Sequence, residues 1–311
     1  MSEDWADKIA QQLLSRGLIE TGICLVLGAA DTGKTTLAAA LAKYLGKHQA
    51  VGIIDADIGQ SHIGPPTTVG WALVDKRRID FSQLAVGGIS FVGDVTPVGH
   101  LLQLTAAIVQ CVRQVSEAAE LMLIDTPGFI SGPTAAALWW TVQQLLKPKL
   151  ILAVQHNDEL SDILAGLRSL DLQVELIKSP RQIRRKSPQD RRSYRQSQFI
   201  KYFRDSRLYN ISLSNISIQP GRKPKHDAKV PDVGENKDVF ARKLSRESLV
   251  CRLVALRDKK GTDVAIGVIT DWQQGDNLVI VKAPHLDIQQ IRCLVIGDVT
   301  IDIAGARTPD E

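Results

Sequence analysis

At 311 residues, with 44% apolar and 23% charged side chains, the chain has room for one large domain plus a small one and enough apolar residues to bury a real core. No apolar run reaches the roughly 18 to 20 residues that a membrane helix requires, and the start, MSEDWADKIAQQLLSRGLIE, is acidic and amphipathic where a signal peptide is basic and then apolar, so a cytoplasmic protein without membrane contact is expected. The formal net charge is +4, yet Lys178 to Arg207 hold eleven Lys or Arg against two Asp, a local excess of +9 that leaves the other residues at −5.

The first twenty residues read as an N-terminal helix. From Ile23 to about Val174, short β-branched or Leu-rich runs (ICLVLG, AVGIID, LMLID, LILAVQ, LQVELI) alternate with stretches of helical length at 34–45, 100–119 and 134–146. That alternation predicts an α/β fold, a parallel sheet with flanking helices. The stretch ALVDKRRIDFSQLAVGGISFVGDVTP fits neither pattern cleanly and is read as an added hairpin.

Between the first run and the first internal helix stands GAADTGKT, Gly28 to Thr35, which fits G-x-x-x-x-G-K-[ST] in the strand-to-helix setting the motif requires. Its glycines let the loop wrap closely, and the N–H groups of Gly28, Ala29, Ala30, Asp31, Thr32, Gly33, Lys34, Thr35 and Thr36 lie at a helix N-terminus where phosphate binds. Lys34 reaches the β and γ phosphates and the Thr35 hydroxyl ligates Mg²⁺. A nucleoside triphosphate is the expected ligand.

The second run ends in DADIGQSHIGPP, which brings Asp55, Asp57 and Gln60 to the carboxyl edge of the sheet beside this loop. Two carboxylates there serve two needs, one to hold Mg²⁺ or its water and one to accept a proton from an attacking hydroxyl. The third, LMLIDTPGF, delivers Asp125, Thr126, Pro127 and Gly128 to the same edge. D-x-x-G after a strand also occurs in GTPases, but LILAVQHNDEL carries no N/T-K-x-D signal for guanine. Trp139 and Trp140, inside the helical stretch 134–146, are read as core. Cys24, Cys111, Cys251 and Cys293 lie far apart without a C-x-x-C pair, and the six His lack ligand spacing, so no zinc site is expected.

The basic segment is patterned. Ser187-Pro188-Gln189-Asp190 supplies an N-cap Ser, Pro at the first helical position and an acid two further on, so QDRRSYRQSQFIKYF is expected to run as one helix. Arg191, Arg195 and Tyr202 then share one stripe, with Phe199 and Phe203 on an adjoining one. Beyond it, QPGRKPKHDAKVPDVGENKD is polar with three Pro, and 206–246 reads as linker or mobile loop. From 247 to 311, short strands separated by turns predict a small C-terminal β domain.

GAADTGKTT, DADIGQSHIGPPTTVG, FVGDVTP, IDTPGFISG and the basic segment, in that order, make residues 22 to 205 resemble the polynucleotide 5′-hydroxyl kinase family. These P-loop enzymes transfer the γ-phosphoryl group of ATP, with Mg²⁺, to the 5′-OH end of RNA or DNA; eukaryotic members carry an extra N-terminal β domain. Because the loop begins at Gly28, the resemblance is to compact archaeal or bacterial forms, with a kinase domain over 21–205. It implies Asp57 as general base, Thr35 and Asp55 for Mg²⁺, and Gln60 as an orienting residue. Thr126, Pro127 and Gly128 become a clasp over the substrate's terminal region, and Phe129, where many relatives have Trp, a stacking platform. Residues 180–205 become a lid whose Arg191 and Arg195 act on the transferring phosphoryl group. Lys186 stands there where Arg is usual, a point charge in place of a planar fork. Arg181, Arg184 and Arg185 are assigned to the nucleic-acid backbone. No protein partner is indicated. The alternatives are a non-catalytic ATP-binding scaffold in an RNA-processing assembly and a GTPase or ParA-like switch.

Overall fold

The computed structural model describes residues 2–74, 81–167, 172–180, 183–219, 246–273 and 277–301. Two compact units divide the chain, Met1–Arg195 and Gln196–Glu311.

In the first unit, helix α1 (Ser2–Ser15) precedes β1 (Gly22–Gly28), α2 (Lys34–Leu45), β2 (Val51–Asp55), β3 (Thr68–Leu73) and β4 (Gly88–Phe91). Then come α3 (Leu101–Val115), β5 (Leu121–Asp125), α4 (Pro133–Leu146), β6 (Leu150–Gln155), the short α5 (Ser161–Ala165), β7 (Gln173–Lys178) and the start of α6 (Pro188–Phe203). The strands pair in the order β7-β6-β1-β5-β2-β3-β4, parallel from β7 to β2 and antiparallel for the last two pairings. Strands buried on both faces have no solvent side to alternate with, which is why they read as continuous apolar runs.

One core layer joins Leu25, Leu27, Ile54 and Ile124 to α3 and α4 through Leu104, Ile108 and Trp139. The other joins Val26, Ile53 and Leu123 to α1 and α2 through Ala6, Ala10, Leu37 and Leu41. Trp139 is fully buried and donates to the Phe129 carbonyl at 2.7 Å. Trp140 instead lies at the surface, 37% exposed, with Gly166 against its ring and its indole N–H on the Ile163 carbonyl. The difficult stretch after β2 contributes β3 and β4, with Trp71 opposite Gly88; its residues 75–80 lie outside the described residues.

The second unit has β8 (Arg207–Ser212), β9 (Ser217–Gln219), the single turn α7 (Arg246–Leu249), β10 (Arg252–Asp258), β11 (Asp263–Gln273), β12 (Leu278–Ala283) and β13 (Ile291–Thr300). They pair as β8-β12-β11-β10-β13-β9 around Ile211, Val254, Leu256, Ile269, Val279 and Leu294. Residues 207–212 and 217–219 fall in the span read as linker and are strands, because each borrows its register from a C-terminal partner, β12 and β13 respectively. The remainder of that span, 220–245, lies outside the described residues. Within this unit Phe199 of α6 is buried, and the Tyr202 hydroxyl accepts the Ile266 N–H at 2.9 Å. Among the described residues, no helix is long and apolar enough to cross a membrane.

Candidate active site

The loop between β1 and α2 is drawn tight by its own side chains. Thr32 Oγ1 donates to the Ala29 carbonyl at 2.9 Å, and Lys34 Nζ donates to the same oxygen at 2.7 Å. Gly33 has φ +95°, a left-handed conformation that glycine adopts without the Cβ penalty of other residues. Ala30 is exposed, Ala29, Asp31, Thr35 and Thr36 are half-buried, and Thr32 is buried. Lys34 is 6% exposed, and burial pulls its ammonium below the usual lysine range against the attraction of Asp125, Asp57 and Asp31.

Three carboxylates converge on this loop, and their hydrogen bonds separate them. β2 and β5 run in register so that Asp55 stands beside Asp125 at the strand ends. Asp55 is fully buried and spends both oxygens on backbone N–H groups, Oδ1 on Asp57 at 3.1 Å and Oδ2 on His62 at 2.5 Å and Ile63 at 3.0 Å. Burial pushes its carboxyl up to about 7. Asp57 is half-buried; its Oδ1 accepts the N–H groups of Gly59 at 3.1 Å and Gln60 at 3.0 Å. Among the described residues its Oδ2 has no such partner, so this oxygen can take a proton without unmaking the turn. Asp125 accepts the Thr35 hydroxyl on Oδ2 at 2.5 Å, while its Oδ1 is buried without a hydrogen-bond partner among the described residues. Burial raises this carboxyl above the usual range, opposed by Lys34.

The segment after β5 presses on the loop. A Cβ on Gly128 would lie 2.7 Å from the Ala30 Cα, so only glycine lets the two backbones meet. Thr126 is fully buried, its hydroxyl donating to the Val26 carbonyl at 2.7 Å, and Pro127 is buried beside it. The expected clasp residue Thr126 therefore faces the sheet. Phe129 is half-buried on the α3/α4 core layer. Gly128→Ala is expected to cost about 1–3 kcal/mol of stability through this overlap and to weaken nucleotide binding; thermal melts with and without ATP check it.

Helix α6 begins as its sequence requires. Ser187 Oγ accepts the Asp190 N–H at 3.0 Å and Asp190 Oδ2 accepts the Ser187 N–H at 2.9 Å, a reciprocal cap that also holds the Asp190 carboxyl below its ordinary range. This end is tied to the site. Arg191 Nη2 donates to Asp31 Oδ2 at 2.5 Å, and the Lys186 N–H donates to the same oxygen at 3.1 Å. Gln60 Nε2 donates to the Arg191 carbonyl at 3.4 Å, and Lys186 Nζ reaches Gln60 Oε1 at 3.4 Å. Tyr194 donates to the Ser61 carbonyl at 3.0 Å and meets His62 Nδ1 at the same distance. Arg195 is half-buried; Arg184 and Arg185 are exposed, Arg184 lying 3.6 Å from Asp190. Arg181 lies outside the described residues.

Residues 28–205, more than half of the chain, match the family model described as mRNA cleavage and polyadenylation factor CLP1 P-loop. The chain belongs to that family. Among CLP1-type P-loop relatives, a polyribonucleotide 5′-hydroxyl-kinase of Pyrococcus abyssi is 32% identical over 195 residues, covering 62% of this chain and 54% of that one. The Pyrococcus furiosus protein of the same description is 27% identical over 311 residues, covering 89% and 87%. Except for that longer match, the chain spans about half the length of the relatives it matches, as with the Pyrococcus horikoshii protein at 53%. In fold, the chain is similar to Clp1p in two structures of its complex with Pcf11p, with TM-scores of 0.65 and 0.68 at 12% and 13% identity. Those likenesses cover 94% of this chain and 77% and 78% of Clp1p.

Asp125, Tyr194 and His62 join this CLP1-type site without having been assigned a role from sequence. For Asp125 the signal is an acid closing an apolar strand, LMLID, in register with Asp55. For Tyr194 and His62 none was available, since their meeting depends on how α6 settles on the loop after Asp57.

Proposed function

We propose that the chain is an ATP-dependent polynucleotide 5′-hydroxyl kinase. The observation that carries this reading is Asp57, with one oxygen pinned in a turn and the other unpartnered among the described residues, on the edge that also holds Lys34. In this reading the triphosphate lies in the cradle of loop N–H groups, and Asp57 Oδ2 takes the proton of a terminal 5′-hydroxyl. The hydroxyl oxygen forms a bond to the γ-phosphorus as the bond to the bridging oxygen breaks. ADP leaves, and Lys34 and Arg191 offset the charge that builds on the transferring group. Family membership and the archaeal kinases at about 30% identity support the same class of reaction.

Mg²⁺ fits the donor set. The Thr35 hydroxyl and the Asp125 carboxylate are hard oxygen groups, and the buried, unpartnered Asp125 Oδ1 calls for a partner. Thr35 and Asp125 would hold the ion, while Asp55, expected from sequence beside Thr35 in that role, accepts backbone N–H groups on both oxygens and keeps the loop after β2 in place. Held there, the ion would supply positive charge that offsets the charge of the phosphates. The first turn of α6 would act as a lid, with Lys186 and Arg191 reaching toward the phosphates and the exposed Arg184 and Arg185 toward the nucleic-acid backbone.

The test incubates the protein with γ-labelled ATP, Mg²⁺ and 5′-OH RNA and DNA oligonucleotides. Label is expected at the 5′ end, and its transfer is expected to stop when the divalent ion is chelated. Nucleotide hydrolysis that never labels an oligonucleotide, whatever the metal, would sink the reading.

A further inference from the structure

We propose that Trp5 of α1, together with Ile183, forms the platform on which the base of the bound nucleotide lies. The inference rests on the nucleotide-binding part of the proposed function and adds to it a base subsite. Helix α1 is docked through Ala6, Ala10 and Leu13, all buried, so Trp5 sits at the margin of that stripe and is half-buried. Its Cζ3 and Cη2 lie 3.1 and 3.5 Å from the point a Cβ on Gly33 would occupy, and Ile183 Cδ1 lies 3.2 Å from the same point. An indole and an aliphatic side chain, far apart in sequence, thus converge on the backbone of the phosphate loop. The segment that carries Ile183 departs from a fixed position, because Ser179 is buried and donates to the Thr32 carbonyl at 2.8 Å.

Three other flanks of the loop do not suit a base. Asp55, Asp57 and Asp125 make one side acidic, Asp31 with Arg191 and the Lys186 amide makes another ionic, and Gly128 closes a third with backbone against Ala30. The flank at Trp5 and Ile183 is apolar and aromatic. A purine or pyrimidine presents a flat π-face, and an indole can cover that face without reading its edge. The glycine at position 33 is favoured twice over, by its positive φ and by the close approach of Trp5 and Ile183, which a Cβ would have to displace by a few tenths of an ångström.

The experiment measures binding of ATP and of inorganic tripolyphosphate, each with Mg²⁺, to the full chain and to its Trp5→Leu and Trp5→Phe variants, with circular dichroism to establish folding. Trp5→Leu is expected to weaken ATP binding about tenfold or more while leaving tripolyphosphate unchanged, and Trp5→Phe to retain most of the ATP affinity. ATP, and not tripolyphosphate, is expected to quench the part of the fluorescence that Trp5→Phe removes; this readout stands even where Trp5→Leu fails to fold. Equal ATP affinity in all three proteins, or parallel loss of ATP and tripolyphosphate, overturns the platform. Trp5-dependent ATP binding without label transfer to an oligonucleotide would leave the platform standing and remove the kinase reading instead.

Discussion

Asp57→Asn is expected to lower kcat for phosphoryl transfer to a 5′-hydroxyl by about 10²- to 10⁴-fold, the usual contribution of a positioned base. The substitution isolates that contribution because the amide oxygen can still accept the Gly59 and Gln60 N–H groups that hold the turn. What is lost is a basic oxygen at the Oδ2 position. ATP affinity is expected to change little, or to rise slightly, since a negative charge near the phosphates has been removed. Steady-state kinetics on a 5′-OH oligonucleotide, with ATP binding measured separately, give the two quantities. A variant that retains transfer within tenfold of the unsubstituted chain would mean that another group accepts the proton. A variant that loses ATP affinity in step with kcat would mean that Asp57 supports the loop rather than the chemistry.

The parallel strands and the phosphate loop were legible because each rests on local pattern. Ile23 to Gly28 is a continuous apolar run ending in a glycine motif, and nothing distant is needed to read it. The start of α6 was legible for the same reason: Ser187 and Asp190 cap each other across three residues. β8 and β9 were not, because Arg207–Ser212 is mostly exposed and is a strand only by virtue of its pairing with Leu278–Ala283.

The division of labour among the acids was hidden by a related limit. Alternation sets Asp55 and Asp57 side by side in sequence, but burial decides between them, and burial depends on where His62 and Ile63 return to meet Asp55. Asp125 acquires its place only when β5 inserts between β1 and β2, which brings it to the Thr35 hydroxyl. Asp31 looked like one more loop residue supplying an amide. Its side chain instead receives the Arg191 guanidinium, a pairing across 160 positions that no spacing rule anticipates.

That pairing sets the terms for Arg191→Ala, expected to lower kcat by about 10³-fold, as removal of an arginine acting on the transition state does, with a smaller effect on ATP affinity. Arg191 is 29% exposed and Asp31 12% exposed, so the pair is partly shielded and the guanidinium is held beside the loop rather than waving in solvent. The backbone at the same position is fixed by Gln60, and Tyr194, one turn on, is fixed by Ser61. Removing the side chain should therefore leave α6 in place and delete only the guanidinium held beside the loop by Asp31. Arg191→Lys discriminates further, because lysine keeps the charge and loses the planar fork; partial recovery of kcat is expected. If Arg191→Ala raises only the KM for the oligonucleotide, the residue contacts nucleic acid and the lid assignment fails. If instead melting shows α6 detached, the loss is structural, and Asp31→Asn should reproduce it by breaking the same ion pair from the loop side. An intact fold with low kcat in Arg191→Ala, and a milder kcat defect in Asp31→Asn, would place the arginine on the transferring group and the aspartate behind it.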